Sequence, residues 1–200
     1  MPLQLPVAAM AAIVVASNVG VQVPVAGGWL TWGAFTYPLA FLVTDLTNRL
    51  QGADAARKVV LSGFAAGLVC SLVGTQIEGA FGPLVTGRIA LGSAMAFLCA
   101  QLVDVTVFSR LRARAWWTAP LASTLVGSAL DTALFFTIAF AGFLAFPTAW
   151  GDVGWANEAT AIGPYWVGLA LADWGVKLAL AVLALVPFRW VVARYAQAVA

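Results

Sequence analysis

Five charged side chains lie inside long apolar stretches of this 200-residue chain: Asp45, Asp104, Asp131, Asp173 and Lys177. A charged group at the centre of a membrane helix costs about 2.5 to 3.5 kcal/mol, so each one needs a partner or a water-filled cavity. Such positions mark substrate and ion pathways in membrane proteins. Because the chain contains no histidine, any proton transfer near neutral pH falls to carboxylates.

Three of these charges share a depth when distance is counted along each helix at about 1.5 Å per residue. Lys177, Asp131 and Asp173 lie roughly 18, 21 and 24 Å from the helix ends that basic residues flank. Asn18 and Gln22 fall at about 18 and 24 Å on the same scale. The sequence therefore predicts an upper polar layer, just past the membrane midplane, formed by these five residues.

The upper layer has structural interpretations as well as functional ones. Asp173 and Lys177 are spaced i, i+4 with the acid first, which is the favourable order for a self-neutralising structural pair. Asp131 has no such neighbour on its own helix. It is predicted to contact a ligand or bind a proton, or else to make an interhelical structural bond to Asn18 or Lys177.

Asp45 and Asp104 form a lower layer, about 6 to 8 Å in from the same membrane face. There the long side chains of Arg49 and Arg110 are within reach. These two carboxylates either fix helix ends through the arginines or take part in an inner gate.

The upper layer contains the groups needed to bind a small planar polar ligand. A carboxylate accepts two parallel N–H bonds, and the amides of Asn18 and Gln22 offer both donors and acceptors. The adjacent Trp174 provides an aromatic face on which a ring can stack. This chemistry suits a guanine-like edge, although these residues alone do not separate such a ligand from an amino acid or a vitamin.

The apolar stretches that carry these residues predict an all-α integral membrane protein. Hydrophobic residues make up 62% of the chain and charged residues 9%, against roughly half and a quarter in soluble domains. A membrane-spanning helix needs about 20 apolar residues, so the chain has room for six of them in a single transmembrane domain, residues 1–200. The predicted helices cover residues 6–25, 33–49, 57–76, 87–109, 117–143 and 162–188.

Charge predicts how this bundle is oriented. Basic residues gather in alternate connections and after the last helix: Arg49, Arg57, Lys58, Arg110, Arg112, Arg114, Arg189 and Arg194. The other connections carry Glu78, Asp152 and Glu158. The positive-inside rule then places both termini in the cytoplasm. The net charge of +2 is small and dispersed, so no nucleic-acid partner is predicted.

Two pairs of small residues indicate close helix packing in the bilayer. Gly63 and Gly67, and Ser123 and Gly127, stand one turn apart and allow backbones to approach each other. Packing within the chain is the favoured interpretation, and a homo-oligomer is the alternative.

Four segments resemble the queuosine precursor transporter family, a branch of the vitamin uptake transporter group. They read SNVGVQVP from Ser17, TWGAFTYPLAFLVTDLTNRLQG from Thr31, RIALGSAMAFLCAQLVDVTVFSRLR from Arg88 and WWTAPLASTLVGSALDTALFFTIAF from Trp116. A weaker similarity is ADWGVKLALAVLALVP from Ala172. Together the segments cover more than half of the chain.

The resemblance implies a six-helix carrier in the bacterial inner membrane that imports 7-cyano-7-deazaguanine or 7-aminomethyl-7-deazaguanine. Its helix count resembles that of the substrate-binding components of energy-coupling-factor transporters, but the family is thought to work without their ATPases. Family motifs match at Asn18, Asp45, Arg88, Gln101, Asp104, Asp131, Asp173 and Lys177.

These observations combine into one hypothesis with two groups of residues. The upper layer and Trp174 bind a deazapurine, and Asp45, Arg88, Gln101 and Asp104 form an inner gate or a proton-coupling site. Arg88 alternatively extends to the membrane surface from its helix end. No metal or other cofactor is predicted.

The remaining alternatives belong to other functional classes. An energy-coupling vitamin transporter component would need partner ATPases. A serine-type intramembrane protease is disfavoured by the missing histidine, so no enzyme is predicted, and an assembly role would leave the polar layer without a ligand.

Overall fold

Seven α-helices make up most of residues 2–79 and 82–199, which are the residues that the computed structural model describes. Helix accounts for 76% of the structure. The helices are α1 (Gln4–Gly20), α2 (Trp32–Thr36), α3 (Leu39–Gln51), α4 (Ala53–Gly74), α5 (Gly87–Leu111), α6 (Thr118–Phe140) and α7 (Tyr165–Val199).

Four of the described helices are long and apolar enough to cross a membrane: Ala53–Gly74, Gly87–Leu111, Thr118–Phe140 and Tyr165–Tyr195. Helix α1 is apolar but has 17 residues. The protein is therefore a multi-pass membrane protein built from helices. Each of the six predicted ranges contains a helix, but the first and second are shorter or divided.

The second predicted helix, 33–49, is divided at Tyr37 and Pro38. Helix α2 ends before them, and α3 begins at Leu39. Pro38 has no backbone N–H to continue the hydrogen-bond ladder of α2. Tyr37 and Pro38 keep helical dihedral angles, and the N–H of Tyr37 stays bonded to the carbonyl of Gly33 at 2.9 Å.

Three small β-hairpins follow α1, α4 and α6. Strands β1 (Pro24–Val25) and β2 (Leu30–Thr31), β3 (Glu78–Gly79) and β4 (Gly82–Pro83), and β5 (Ala159–Thr160) and β6 (Gly163–Pro164) pair antiparallel. The hairpins correct two predicted boundaries, because 6–25 ends at Gly20 and 162–188 begins at Tyr165. The last helix also continues through Pro187 to Val199, beyond its predicted end at residue 188.

The three hairpins meet at one end of the bundle, here called the hairpin end. The side-chain amide of Gln22 donates to the carbonyl of Leu84 at 3.3 Å, which joins the first hairpin connection to the second. The Trp29 and Trp155 rings both contact the Tyr165 ring, with centroids 5.4 and 6.2 Å apart. These contacts form a continuous polar and aromatic rim.

The opposite end, here called the basic end, carries every Lys and Arg except Arg88 and Lys177. Arg49 donates to the carbonyl of Arg112 at 2.9 Å, and Arg112 donates back to the carbonyl of Arg49 at 2.6 Å. The guanidinium of Arg189 lies 4.9 Å from the ring centroid of Trp116. The arginines thus hold the ends of α3, α5 and α7.

Small residues allow the helices to pack within the chain. A Cβ atom on Gly63 would lie 2.6 Å from Cγ of Met10, and one on Gly127 would lie 2.8 Å from Cε1 of Phe41. Neither position has room for a side chain without displacing its neighbours. Gly63 therefore brings α4 against α1, and Gly127 brings α6 against α3.

Candidate functional site

A cavity of about 410 Å³ extends from the middle of the bundle to the hairpin end. Its volume is in the range of small-molecule sites. Helices α1, α2, α4, α5, α6 and α7 all contribute to its wall. At its outer rim lie Gln22, Trp29, Leu84 and Trp155, and at its floor lie Tyr37, Asp131, Asp173 and Lys177.

The floor is centred on the ammonium group of Lys177. Its Nζ lies 2.7 Å from Oδ2 of Asp131 and 2.5 Å from Oδ2 of Asp173. It also donates to Oγ1 of Thr132 at 3.0 Å. The side chain of Lys177 is 4% exposed, so the charge is desolvated and depends on these partners. These residues and Tyr37 are called the floor cluster.

Tyr37 belongs to the floor cluster and lies at the break between α2 and α3. Its hydroxyl donates to Oδ1 of Asp131 at 2.6 Å. Its ring makes edge contacts with Phe41 and Phe97 and lies 5.4 Å from Nζ of Lys177. Tyr37 therefore holds the Asp131 carboxylate from one side while Lys177 holds it from the other.

The carboxylates of Asp131 and Asp173 differ in which oxygen atoms are free to accept a further hydrogen bond. Asp131 uses Oδ1 for Tyr37 and Oδ2 for Lys177. Asp173 uses Oδ2 for Lys177 and for Thr132, whose hydroxyl lies 3.0 Å away. Among the described residues no side chain donates to Oδ1 of Asp173, and this side chain is 14% exposed against 6% for Asp131. Asp173 is thus the carboxylate available to a ligand.

The other predicted residues of the upper layer are placed as follows. Asn18 and Gln22 line the cavity. The Asn18 amide nitrogen donates to the carbonyl of Val14 at 2.9 Å, which leaves its oxygen as an acceptor. Trp174 is not among the lining residues, because one helical residue turns the side chain by about 100° from Asp173.

Aromatic side chains that the sequence analysis did not select form the upper wall. Phe135, Phe136, Phe140 and Trp155 line the cavity. Phe140 contacts Phe136 and Trp155 at centroid distances of 5.8 and 5.7 Å. The adjacent Phe135 and Phe136, in the same predicted helix as Asp131, are the sequence signal that could have indicated this wall. Such a wall can stack on a planar ring.

Asp45 and Asp104 lie outside this cavity, in a buried polar region between α3, α5 and α6. Ser123 and Thr124 donate to the two oxygens of Asp45 at 3.0 and 3.3 Å. The Thr44 hydroxyl donates to Oε1 of Gln101 at 2.6 Å. In the described part of the chain, no group of three or more His, Cys, Asp or Glu residues could hold a metal ion.

The predicted arginine partners of the lower layer are not used. Arg49 bonds to a backbone carbonyl and Arg110 is exposed. The salt bridges among the described residues include neither Asp45 nor Asp104. The interpretation that arginines anchor these carboxylates at helix ends is therefore wrong, since the guanidinium group of Arg49 instead satisfies a helix-terminal carbonyl.

Arg88 is buried at the start of α5, near the hairpin end. Its guanidinium donates to the carbonyls of Ile138 and Ala141 at 3.2 and 2.6 Å, and it lies 4.8 Å from the ring centroid of Phe146. Only 4% of the residue is exposed, so it does not extend to the surface. Arg88 bonds to carbonyls at the end of α6 and lies away from Asp45, Gln101 and Asp104, with which it was predicted to form an inner gate or a proton-coupling site.

The chain is similar to known transporters over most of its length. The family model described as "Putative vitamin uptake transporter" matches residues 31–192. The queuosine precursor transporter of Escherichia coli (strain K12) is 36% identical over 88% of this chain and 79% of its own length. The "Probable queuosine precursor transporter" of Haemophilus influenzae is 34% identical over 78% of this chain and 66% of its own length. No solved structure gives a significant match.

Proposed function

The chain belongs to the queuosine precursor transporter family within the vitamin uptake transporter group, and on this premise we propose that it imports queuosine precursors across the bacterial inner membrane. The substrates would be 7-cyano-7-deazaguanine, 7-aminomethyl-7-deazaguanine or both. The observation that carries the proposal is a cavity with an aromatic wall and a carboxylate acceptor at its floor. The precursor binds with its ring beside the aromatic wall and its polar edge on the floor cluster.

The floor matches the donor groups of a guanine-like base. Such a base presents an N–H and an amino group side by side, and a free carboxylate oxygen can accept a hydrogen bond from this edge. Asp173 has one oxygen free of side-chain donors and faces the cavity. Asn18 and Gln22 supply further donors and acceptors along the wall. The deazapurine edge is therefore recognised at Asp173, while Lys177 and Thr132 hold that carboxylate in place.

We also propose that α1 and the pair α2 and α3 span the membrane, which gives six spans in all. Helix α1 is about 26 Å long, and residues 32–51 together provide 20 residues for the second span. The basic end would face the cytoplasm. The cavity, which reaches the hairpin end, would then be open to the outer face and ready to accept substrate.

Cysteine labelling tests this orientation. In a variant with Cys70 and Cys99 replaced by serine, single cysteines are introduced as Ala159→Cys at the hairpin end and Ala113→Cys at the basic end. Both positions are exposed. A membrane-impermeant maleimide added to intact cells is expected to label position 159 only, and labelling of position 113 only would contradict the orientation.

Transport by the purified protein tests the function. Liposomes that contain this protein alone are expected to take up labelled 7-cyano-7-deazaguanine, and an inward proton gradient is expected to drive accumulation. Substrate exchange without a gradient would support the carrier and reject proton coupling. Tight binding without uptake would instead favour a component that needs partner ATPases, an alternative that the names of the matched relatives do not support. Liposomes without protein and an excess of unlabelled guanine provide controls for leakage and specificity.

A further inference from the structure

The carboxyl group of Asp45 on α3 and the Cβ atom of Asp104 on α5 both lie against one turn of α6, the turn from Ser123 to Gly127. The Ser123 hydroxyl of α6 lies beside them and donates to Asp45 at 3.0 Å. Gly127 lets α5 pack closely against α6 at this point, because a Cβ on it would lie 3.3 Å from the carbonyl oxygen of Ala100 and from Cβ of Asp104. Three helices thus bring two acidic side chains together well below the floor cluster.

The pair is buried, and Asp104 has no other partner. Asp45 is 2% exposed and Asp104 is 0% exposed. Among the described residues, no side chain or backbone donor satisfies either oxygen of Asp104, and the amide nitrogen of Gln101, one turn away on α5, is also unpaired. Buried polar atoms are almost always hydrogen-bonded. The unmade bonds therefore point to a hydrogen atom located between the two carboxyl groups.

The charged residues on the surrounding helices are engaged elsewhere or exposed. Arg49 on α3 and Arg112, directly after α5, bond to each other's carbonyls. On α7, Lys177 is held by the two floor carboxylates. Near the basic end, Asp54 and Arg57 pair with each other, and Arg189 and Arg194 stack on Trp116 and Trp190. The remaining charged side chains there, Lys58, Arg110 and Arg114, are exposed. No described cation therefore neutralises the pair.

We propose that Asp45 and Asp104 hold one proton between them and form a proton-binding site separate from the floor cluster. Two adjacent carboxylates disfavour each other's ionisation, and burial without a cation disfavours it further. One carboxyl group then donates its O–H to the other, and Ser123 and Thr124 stabilise the remaining negative charge on Asp45. A proton fits this site better than a metal ion, because a metal ion would need more oxygen ligands and space between the carboxyl groups.

The surroundings provide a route for the proton to exchange. A cavity of about 10 Å³ touches Asp45 between α3, α6 and α7, and it is large enough for about one water molecule. On α6, Thr124, Ser128 and Asp131 stand at i, i+4 and i+7 on one buried face. Thr124 contacts Asp45 and Asp131 belongs to the floor cluster, so the two carboxyl groups lie about two helical turns, or roughly 10 Å, from that cluster. The role of the pair in coupling rests on the proposed transport function. The binding of a proton by the pair does not depend on that function.

Infrared spectroscopy tests the proton directly, without any need for transport. The purified wild-type protein at neutral pH is expected to show a protonated carboxyl C=O band that Asp45→Asn with Asp104→Asn removes. The exposed Asp54→Asn variant is the matched control and is expected to keep the band. Absence of the band from the difference between the wild type and the double variant would overturn the proposal. Sodium-dependent stabilisation that the double variant loses would overturn it in favour of a metal-ion site.

Transport assays then test coupling. Asp104→Asn is expected to reduce gradient-driven accumulation of 7-cyano-7-deazaguanine to the level seen without a gradient, while counterflow exchange stays near the wild-type rate. Wild-type accumulation by both Asp45→Asn and Asp104→Asn would overturn the coupling role. Failure of counterflow in the wild-type protein would instead reject the proposed transport function, and the infrared band would still decide whether the pair holds a proton.

Discussion

Replacement of Lys177 by methionine is expected to abolish substrate transport and to lower the free energy of unfolding by about 3 to 5 kcal/mol. Nζ of Lys177 is the only described cation between Asp131 and Asp173. Its removal leaves two buried carboxylates facing each other without compensation. Methionine keeps much of the volume of lysine, so the loss reports charge rather than a cavity. Thermal unfolding in detergent and counterflow exchange in liposomes measure the two effects.

Two further variants separate this electrostatic role from a general effect of losing a lysine. Lys58→Met removes an exposed lysine at the basic end and is expected to leave stability and exchange near wild type. Adding Asp173→Asn to Lys177→Met removes one of the opposed charges, and most of the lost stability is expected to return without transport. Normal stability of Lys177→Met by itself would show that the ion cluster does not hold α6 and α7 together.

The upper polar layer could be predicted from sequence because depth in a membrane helix follows from counting residues. The predicted depths of Asp131, Asp173 and Lys177 differ by about 6 Å at most, or roughly one helical turn, and the structure brings all three side chains into contact. The two structural interpretations proposed for them are combined: Lys177 pairs with Asp173 on its own helix and with Asp131 on the neighbouring one. Their role in substrate binding stays a prediction.

The place of Tyr37 in the floor cluster could not be predicted from the sequence by counting residues. A tyrosine in an apolar stretch is ordinary, and its role depends on the break that Pro38 introduces between α2 and α3. The proline is visible in the sequence, but the direction in which the broken helix aims a side chain depends on tertiary packing. The hairpins were missed for a related reason, since strands of two residues show no alternation of polar and apolar side chains.

The lower layer shows where proximity along the sequence misleads. Arg49 lies one helical turn after Asp45, which favours an ion pair. In the structure the arginine turns toward the end of α5, where helix-terminal carbonyls need donors. Sequence spacing alone does not determine whether Arg49 donates to the Asp45 carboxylate or to a backbone carbonyl. The proton proposal rests on the finding that no described cation pairs with Asp45 or Asp104. This finding depends on how the helices pack and could not be predicted from the sequence.

Replacement of Asp173 by asparagine is expected to weaken the binding of 7-cyano-7-deazaguanine by about 10-fold to 100-fold, because a hydrogen bond to a charged group contributes about 1.5 to 3 kcal/mol. Oδ1 of Asp173 is the carboxylate oxygen of the floor cluster that no described side chain occupies, and the residue lines the cavity. Stability is expected to fall less than in Lys177→Met, since Lys177 keeps its bond to Asp131. Ligand titration by tryptophan fluorescence measures the binding, and Asp152→Asn at the hairpin end is the matched control.

An analogue of 7-cyano-7-deazaguanine that lacks the 2-amino group tests whether this group donates a hydrogen bond to Asp173. If Asp173 accepts a bond from that group, wild-type protein is expected to bind the deaminated analogue less tightly than the parent compound, and Asp173→Asn is expected to bind the two with similar affinity. Groups that contact each other give such non-additive effects, whereas independent groups give additive ones. Full additivity would mean that the polar edge of the base lies elsewhere in the cavity, whose other polar lining residues include Asn18, Gln22 and Ser93.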